Sequence, residues 1–171
     1  RLESLKNKER ADWLPVAFLE KGLQAARAVG RVEHQGRKIG TAFLVAPDLV
    51  LTNAHVVRNA VKVEVSSMLT SEERFKADVV GLVKKLEPDV GLIRLPEKEL
   101  ARFKKLASRD IEYLELREGS SPSRGEEIKA IGYPMGMVEP NISGGEITNF
   151  VSGSEYTTER FVTDAAINPG N

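Results

Sequence analysis

The chain has 171 residues, room for one large domain or two small ones with a real core. Its 25 Lys and Arg balance 25 Asp and Glu, so nothing in the charge supports binding to nucleic acid or an acidic membrane surface. The absence of cysteine excludes disulfides, thiolate-bound zinc and a thiol nucleophile within these residues. No apolar run approaches the roughly 20 residues of a membrane helix. The chain reads as soluble and is compatible with cytoplasm or periplasm, with the compartment left open. It begins at Arg1 rather than Met, and the expectation is a processed or trimmed piece.

Residues 1–10, RLESLKNKER, are too charged for a core and read as a solvated helix or frayed end. Pro15 suits a first helical turn. Phe18, Leu19, Leu23 and Ala26 then recur at helical spacing, so residues 15–27 read as an amphipathic helix docked on the domain C-terminal to it. Trp13 and Phe18 are expected to pack there too, with a subunit contact as the alternative.

Strands come next. Val29 to Glu33 and Lys38 to Ala46 flank a Gly-containing turn at 34–37. Pro47-Asp48 marks another turn and Leu49 to Asn53 another strand. Val61, Val63 and Val65 alternate with Lys62 and Glu64, the period of a half-buried strand. Phe75 to Val83 and Val90 to Leu95 complete about six short strands with few helices between them. That pattern points to an antiparallel barrel or sandwich.

PEKELARFKKL at 96–106 reads as a short helix carrying Leu100 and Phe103, and GSSPSRG at 119–125 is the densest turn cluster. Strands resume at Glu127 to Ile131, Ile142 to Phe150 and Arg160 to Thr163, the first pair broken by Gly132, Pro134 and Gly136. Three or four strands leave an open edge. The expected divisions are a helical segment at 1–27, a first barrel at 28–96, a connection at 97–124 and the start of a second barrel at 125–171.

Two histidines are present, at 34 and 55. His34 lies in a polar turn and reads as exposed. His55, in LTNAHVV, comes just after an apolar strand, where barrels present functional groups. Asp89, in LEPDVGLIRL, precedes another strand; taken alone it is a turn residue, but a carboxylate there can hold a neutral imidazole in one tautomer. Asn168-Pro169-Gly170-Asn171 is a turn whose glycine N–H can face a developing oxyanion.

Four blocks in order, LTNAHVV, PDVGLIRL, AIGYPMG and TDAAINPGN, resemble those of trypsin-like serine peptidases, and among them the HtrA/DegP-like proteases. GTAFLVAPDLVLTNAHVV at 40–57 and NISGGEITNF at 141–150 extend the likeness over about residues 28–171. The resemblance implies an all-β fold of two six-stranded antiparallel barrels. It implies a serine endopeptidase with His55 as general base, Asp89 as orienting acid and Gly170 in the oxyanion hole. Ala166 and Ile167 match positions lining the primary specificity pocket and imply an apolar preference. A protein or peptide is the implied substrate, with no cofactor or metal; oligomers are allowed. The family's serine would come directly after Asn171, and the remaining C-terminal part of the domain is the expected partner of this half-built second barrel. Gly91 replaces a common alanine, a mild departure. An inactive peptide-binding module on the same fold is the alternative.

Overall fold

The computed structural model describes residues 16–34, 37–70, 73–83, 88–108, 110–119, 121–134, 137–152 and 160–167. Trp13 and segment 1–10, the Gln35-Gly36 turn, Gly136, and Asn168 to Asn171 with Gly170 lie outside them, as does the Phe18 side chain.

The alternating stretches form six antiparallel strands: β1 (Val29–His34), β2 (Arg37–Ala46), β3 (Leu49–Thr52), β4 (Lys62–Ser67), β5 (Arg74–Leu82) and β6 (Gly91–Arg94). They close into a barrel in the order β1-β2-β3-β6-β5-β4, with β4 pairing back to β1. Closure leaves no strand edge unpaired. Register shifts at Val32/Glu33, Leu44/Ala46 and Val79/Gly81 supply the irregularities that let short strands curl. Val32, Val50, Val63, Phe75 and Ile93 fill the interior. Val61, expected at the head of β4, lies before the strand and is exposed; its carbonyl instead accepts the Val79 N–H at 2.9 Å.

Helix α1 (Val16–Arg27) precedes β1. Its docking is looser than a continuous apolar stripe suggests: Leu19 is 59% exposed, and Leu23 is exposed as well. The close approach is made at Gly22, where an added Cβ would lie 3.2 Å from Ile142 Cδ1. A single helical turn, α2 (Ala54–Val57), lies between β3 and β4. After β6, helix α3 (Glu97–Ala107) sets Phe103 edge-on against Phe75, ring centroids 5.1 Å apart. Glu97 and Glu99 in its first turn and Lys104 and Lys105 in its last match the helix dipole. The connection then passes along β2, where Leu114 N–H donates to the Leu44 carbonyl at 2.8 Å.

The second unit is a three-stranded sheet, β7 (Glu127–Gly132), β8 (Asn141–Val151) and β9 (Arg160–Thr163), in that order. It meets the barrel through a few polar contacts. Tyr133 N–H donates to Thr41 Oγ1 at 2.9 Å; within the barrel, Thr52 Oγ1 donates to the carbonyl of the same Thr41 at 2.8 Å. Arg31 donates to the Met137 carbonyl at 3.1 Å and lies 5.7 Å from the Tyr133 ring centroid. Strand β1 is therefore covered on both faces. Val32 points into the barrel, while Arg31 and Glu33, 5% and 1% exposed, sit beneath other elements on its outer face. Glu33 is compensated by Arg31 at 3.1 Å and Arg74 at 2.8 Å.

Candidate functional site

The site begins where β3 leaves the barrel. Asn53 is extended, with φ −74° and ψ 141°, and the chain then enters the single turn of α2. Ala54 and Val57 are buried, which turns His55 outward with its side chain 65% exposed. Two glycines make room for this turn. A Cβ on Gly40 would lie 2.9 Å from Val56 Cγ2; one on Gly91 would lie 2.8 Å from Val57 Cγ2 and 3.3 Å from the Asn53 carbonyl oxygen. The glycine at 91, a mild departure by sequence, is thus the surface on which the His-bearing turn rests.

Sheet register brings Asp89 to this turn. Thr52, the last residue of β3, pairs with Gly91, the first of β6. The segment just before β6 therefore lies beside the residues just after β3, although 34 positions separate Asp89 from His55. One carboxylate oxygen, Oδ1, accepts the His55 backbone N–H at 2.9 Å, and the other, Oδ2, is hydrogen-bonded to ring Nδ1. Asn53 Nδ2 donates to the Asp89 carbonyl at 3.2 Å. Partial burial raises the Asp89 pKa, but the ring and backbone hydrogen bonds from His55, with the charges of His55 and Arg58, outweigh it and hold the carboxyl below its ordinary value. The carboxylate is thus kept ionised beside a ring nitrogen. The opposite ring nitrogen, Nε2, remains to exchange a proton with a group arriving from outside.

Ala166 and Ile167 come after β9 and are exposed. Their segment is braced against β8: Glu146 N–H donates to Asp164 Oδ1 at 2.7 Å, and Ser143 Oγ donates to the Ala166 carbonyl at 2.7 Å. Ala165 between them is buried. Gly170 lies outside the described residues. His34 closes β1, paired with Arg37, and has no part in the His55–Asp89 contact.

Among the described residues no cluster of His, Cys, Asp or Glu could hold a metal ion. No described helix is long and apolar enough to cross a membrane. A cavity of about 520 Å³ lies elsewhere: α1, Met68 and the β7–β8 connection line it, and neither His55 nor Asp89 does. The polar pair is the better guide to chemistry, because a titratable group shifted by a specific partner marks reactive machinery more directly than an apolar hole does.

Sequence reasoning passed over Asn53, whose amide reaches the Asp89 backbone. A polar residue at the start of a turn is such a common cap that its identity alone carries no signal of a distant partner. It also passed over the ionic cluster of Arg31, Glu33 and Arg74, because charged residues on a strand usually mark a solvated face.

Residues 40–171 match the trypsin-like peptidase domain family. Putative protease Do-like 13 of Arabidopsis thaliana is 30% identical over 142 residues, covering 80% of this chain and 26% of the relative. A probable periplasmic serine endoprotease, DegP-like, of Chlamydia pneumoniae is 33% identical over 138 residues, covering 77% of this chain and 25% of the relative. The chain therefore spans about a quarter of the length of these curated relatives. Among solved structures, the HtrA-type protease AlgW with decapeptide superposes with a TM-score of 0.68 at 19% identity, over 90% of this chain and 53% of that one. That likeness is one of fold, chymotrypsin-like, with the first barrel closed and the second in part. A family match over most of the chain, with HtrA- and DegP-like relatives beside it, makes this polypeptide a member of the trypsin-like peptidase domain family.

Proposed function

We propose that this chain is the greater part of a serine endopeptidase domain that hydrolyses peptide bonds. The observation that carries this reading is the His55–Asp89 contact, two side chains 34 positions apart sharing a hydrogen on the barrel rim. Family membership agrees with it. The nucleophile is a serine supplied by the polypeptide C-terminal to Asn171.

The serine hydroxyl attacks the scissile carbonyl while His55 Nε2 takes its proton. Asp89 holds the ring through Nδ1 and stabilises the imidazolium that forms. The Gly170 N–H and that of the serine bind the oxyanion, each such donor being worth about 100- to 1,000-fold in rate. The imidazolium returns its proton to the leaving amine, and water then releases the acyl group by the same steps. Ala166 and Ile167, apolar and exposed, favour a small or medium apolar side chain before the scissile bond. Protein or peptide segments are the substrates.

The test uses the full-length protein. A serine-directed phosphonate probe should add one label by intact mass. His55→Ala should abolish labelling and peptide cleavage, and His34→Ala should leave both at the parent level. Equal activity of the two variants would sink the assignment; a folded protein that takes no label would instead be a peptide-binding module.

A further inference from the structure

Asn53 sits at the N-cap of α2, a position where Asn normally accepts a backbone N–H from its own first turn. Here it makes no such bond. The N–H it would have met, that of His55, is taken by Asp89 Oδ1 at 2.9 Å. The Asn53 amide donates back across the gap, Nδ2 to the Asp89 carbonyl at 3.2 Å. The turn and the loop before β6 therefore cap each other. The loop supplies the acceptor that the turn needs, and the turn supplies a donor that fixes the loop.

We infer that Asn53 is a positioning residue for the His55–Asp89 pair, holding the main chain of Asp89 so that both carboxylate oxygens face His55; this rests on the proposed peptidase activity. The argument is geometric. The carboxylate makes two bonds to one residue, through Oδ1 and Oδ2. Both require the side chain to approach in one orientation. A side chain on a loop holds an orientation only when its backbone is held. Asn53 Nδ2 supplies that hold at the residue itself, and Val90 N–H, bonded to the Pro88 carbonyl at 3.0 Å, tightens the same loop.

A simple helix-capping role predicts something different, and one substitution separates the two. Asp caps as well as Asn does, but it replaces the amide donor with an acceptor facing the Asp89 carbonyl. Asn53→Asp in the full-length protein should weaken or abolish the far-downfield proton signal of the Nδ1–H shared by His55 and Asp89. It should also lower kcat on a peptide substrate by roughly tenfold with KM little changed, the worth of about one hydrogen bond. Asn53→Ser, which keeps a capping oxygen and lacks the amide, should act in the same direction more weakly. If both variants keep the parent signal and kcat, Asn53 does not position the pair and the inference is overturned. The signal needs no turnover, so the two readings fail separately. A signal that responds to Asn53→Asp in a protein that cleaves nothing keeps the inference and removes the peptidase reading. A parent protein that cleaves, with a signal indifferent to residue 53, does the reverse. A parent protein with no such signal loses the pair and the inference together.

Discussion

The barrel and the three-stranded sheet are built from similar strands yet hold together differently. In the barrel, Val32, Val50, Val57, Phe75 and Ile93 are almost wholly enclosed, and every strand has two neighbours. In the sheet, Ile147 and Ala165 are buried, but Ile142, Val151, Phe161 and Val162 are exposed, and β7 and β9 each pair with β8 alone among the described residues. Both backbone pairing and apolar burial are thus fuller in the barrel. Burial is the larger stabilising term. The lesson is that the candidate site draws on unequal supports. His55 and Asp89 stand on the rigid unit, whereas Ala166 and Ile167 belong to the unit tied on by Thr41, Arg31 and Tyr133.

The sharpest expression of this contrast is in the two interiors. Ile93→Ala should cost about 4 kcal/mol by urea denaturation, since it opens a cavity in a closed core. Phe161→Ala, at an exposed position of β9, should change stability by less than about 0.5 kcal/mol. Comparable losses would erase the distinction between the units. Next come the ties. Glu33→Ala leaves Arg31 buried without its carboxylate and should cost about 3 kcal/mol. Replacing Arg31 and Glu33 together with apolar residues of similar volume should recover much of that loss, measured in the same assay.

A smaller effect probes the seam. Thr41→Val deprives the Tyr133 N–H of its acceptor and should cost about 1 kcal/mol, with Thr41→Ser restoring it. Amide exchange should quicken in β7 before β2; uniform quickening would mean that the units open as one.

The smallest effect lies in pH, through Asp89 on the barrel and Glu126 beside the sheet. Asp89 is held below its ordinary 3.8 despite the opposing effect of burial. Glu126 is held below its ordinary 4.5 by the Ser123 N–H and then by Arg117. A lowered folded pKa favours the folded state above the ordinary value, and that gain disappears as pH falls through the folded one. Asp89→Asn and Glu126→Gln should therefore be less stable than the parent at pH 7, with both gaps closing below about pH 4. A gap that stays constant down to pH 3 would contradict those hydrogen bonds.

Much of this was legible in the sequence because the signals are local. The alternation in Val61 to Val65 and the helical reading of 96–106 mark β4 (Lys62–Ser67) and α3 (Glu97–Ala107) within about two residues. The blocks around His55 and Asp89 name two groups, but only the register Thr52 to Gly91 explains why they meet. What stayed hidden depends on partners distant in the chain. Arg31 looks solvated until Tyr133 and the Met137 carbonyl cover it, and Glu33 until Arg31 and Arg74 close on it. The Asn53 amide looks like a cap until Asp89 arrives. Leu19 and Leu23 look like core because periodicity reports which side of a helix is apolar, without reporting how closely anything approaches it.

The seating of Val56 and Val57 against Gly40 and Gly91 has a consequence for heat. The main chain that carries the imidazole is anchored by these valines, which face two strands of the closed unit. It cannot drift without prising those strands apart. Warming should therefore leave its contact with Asp89 intact until the barrel itself melts, so that the two are lost at one temperature.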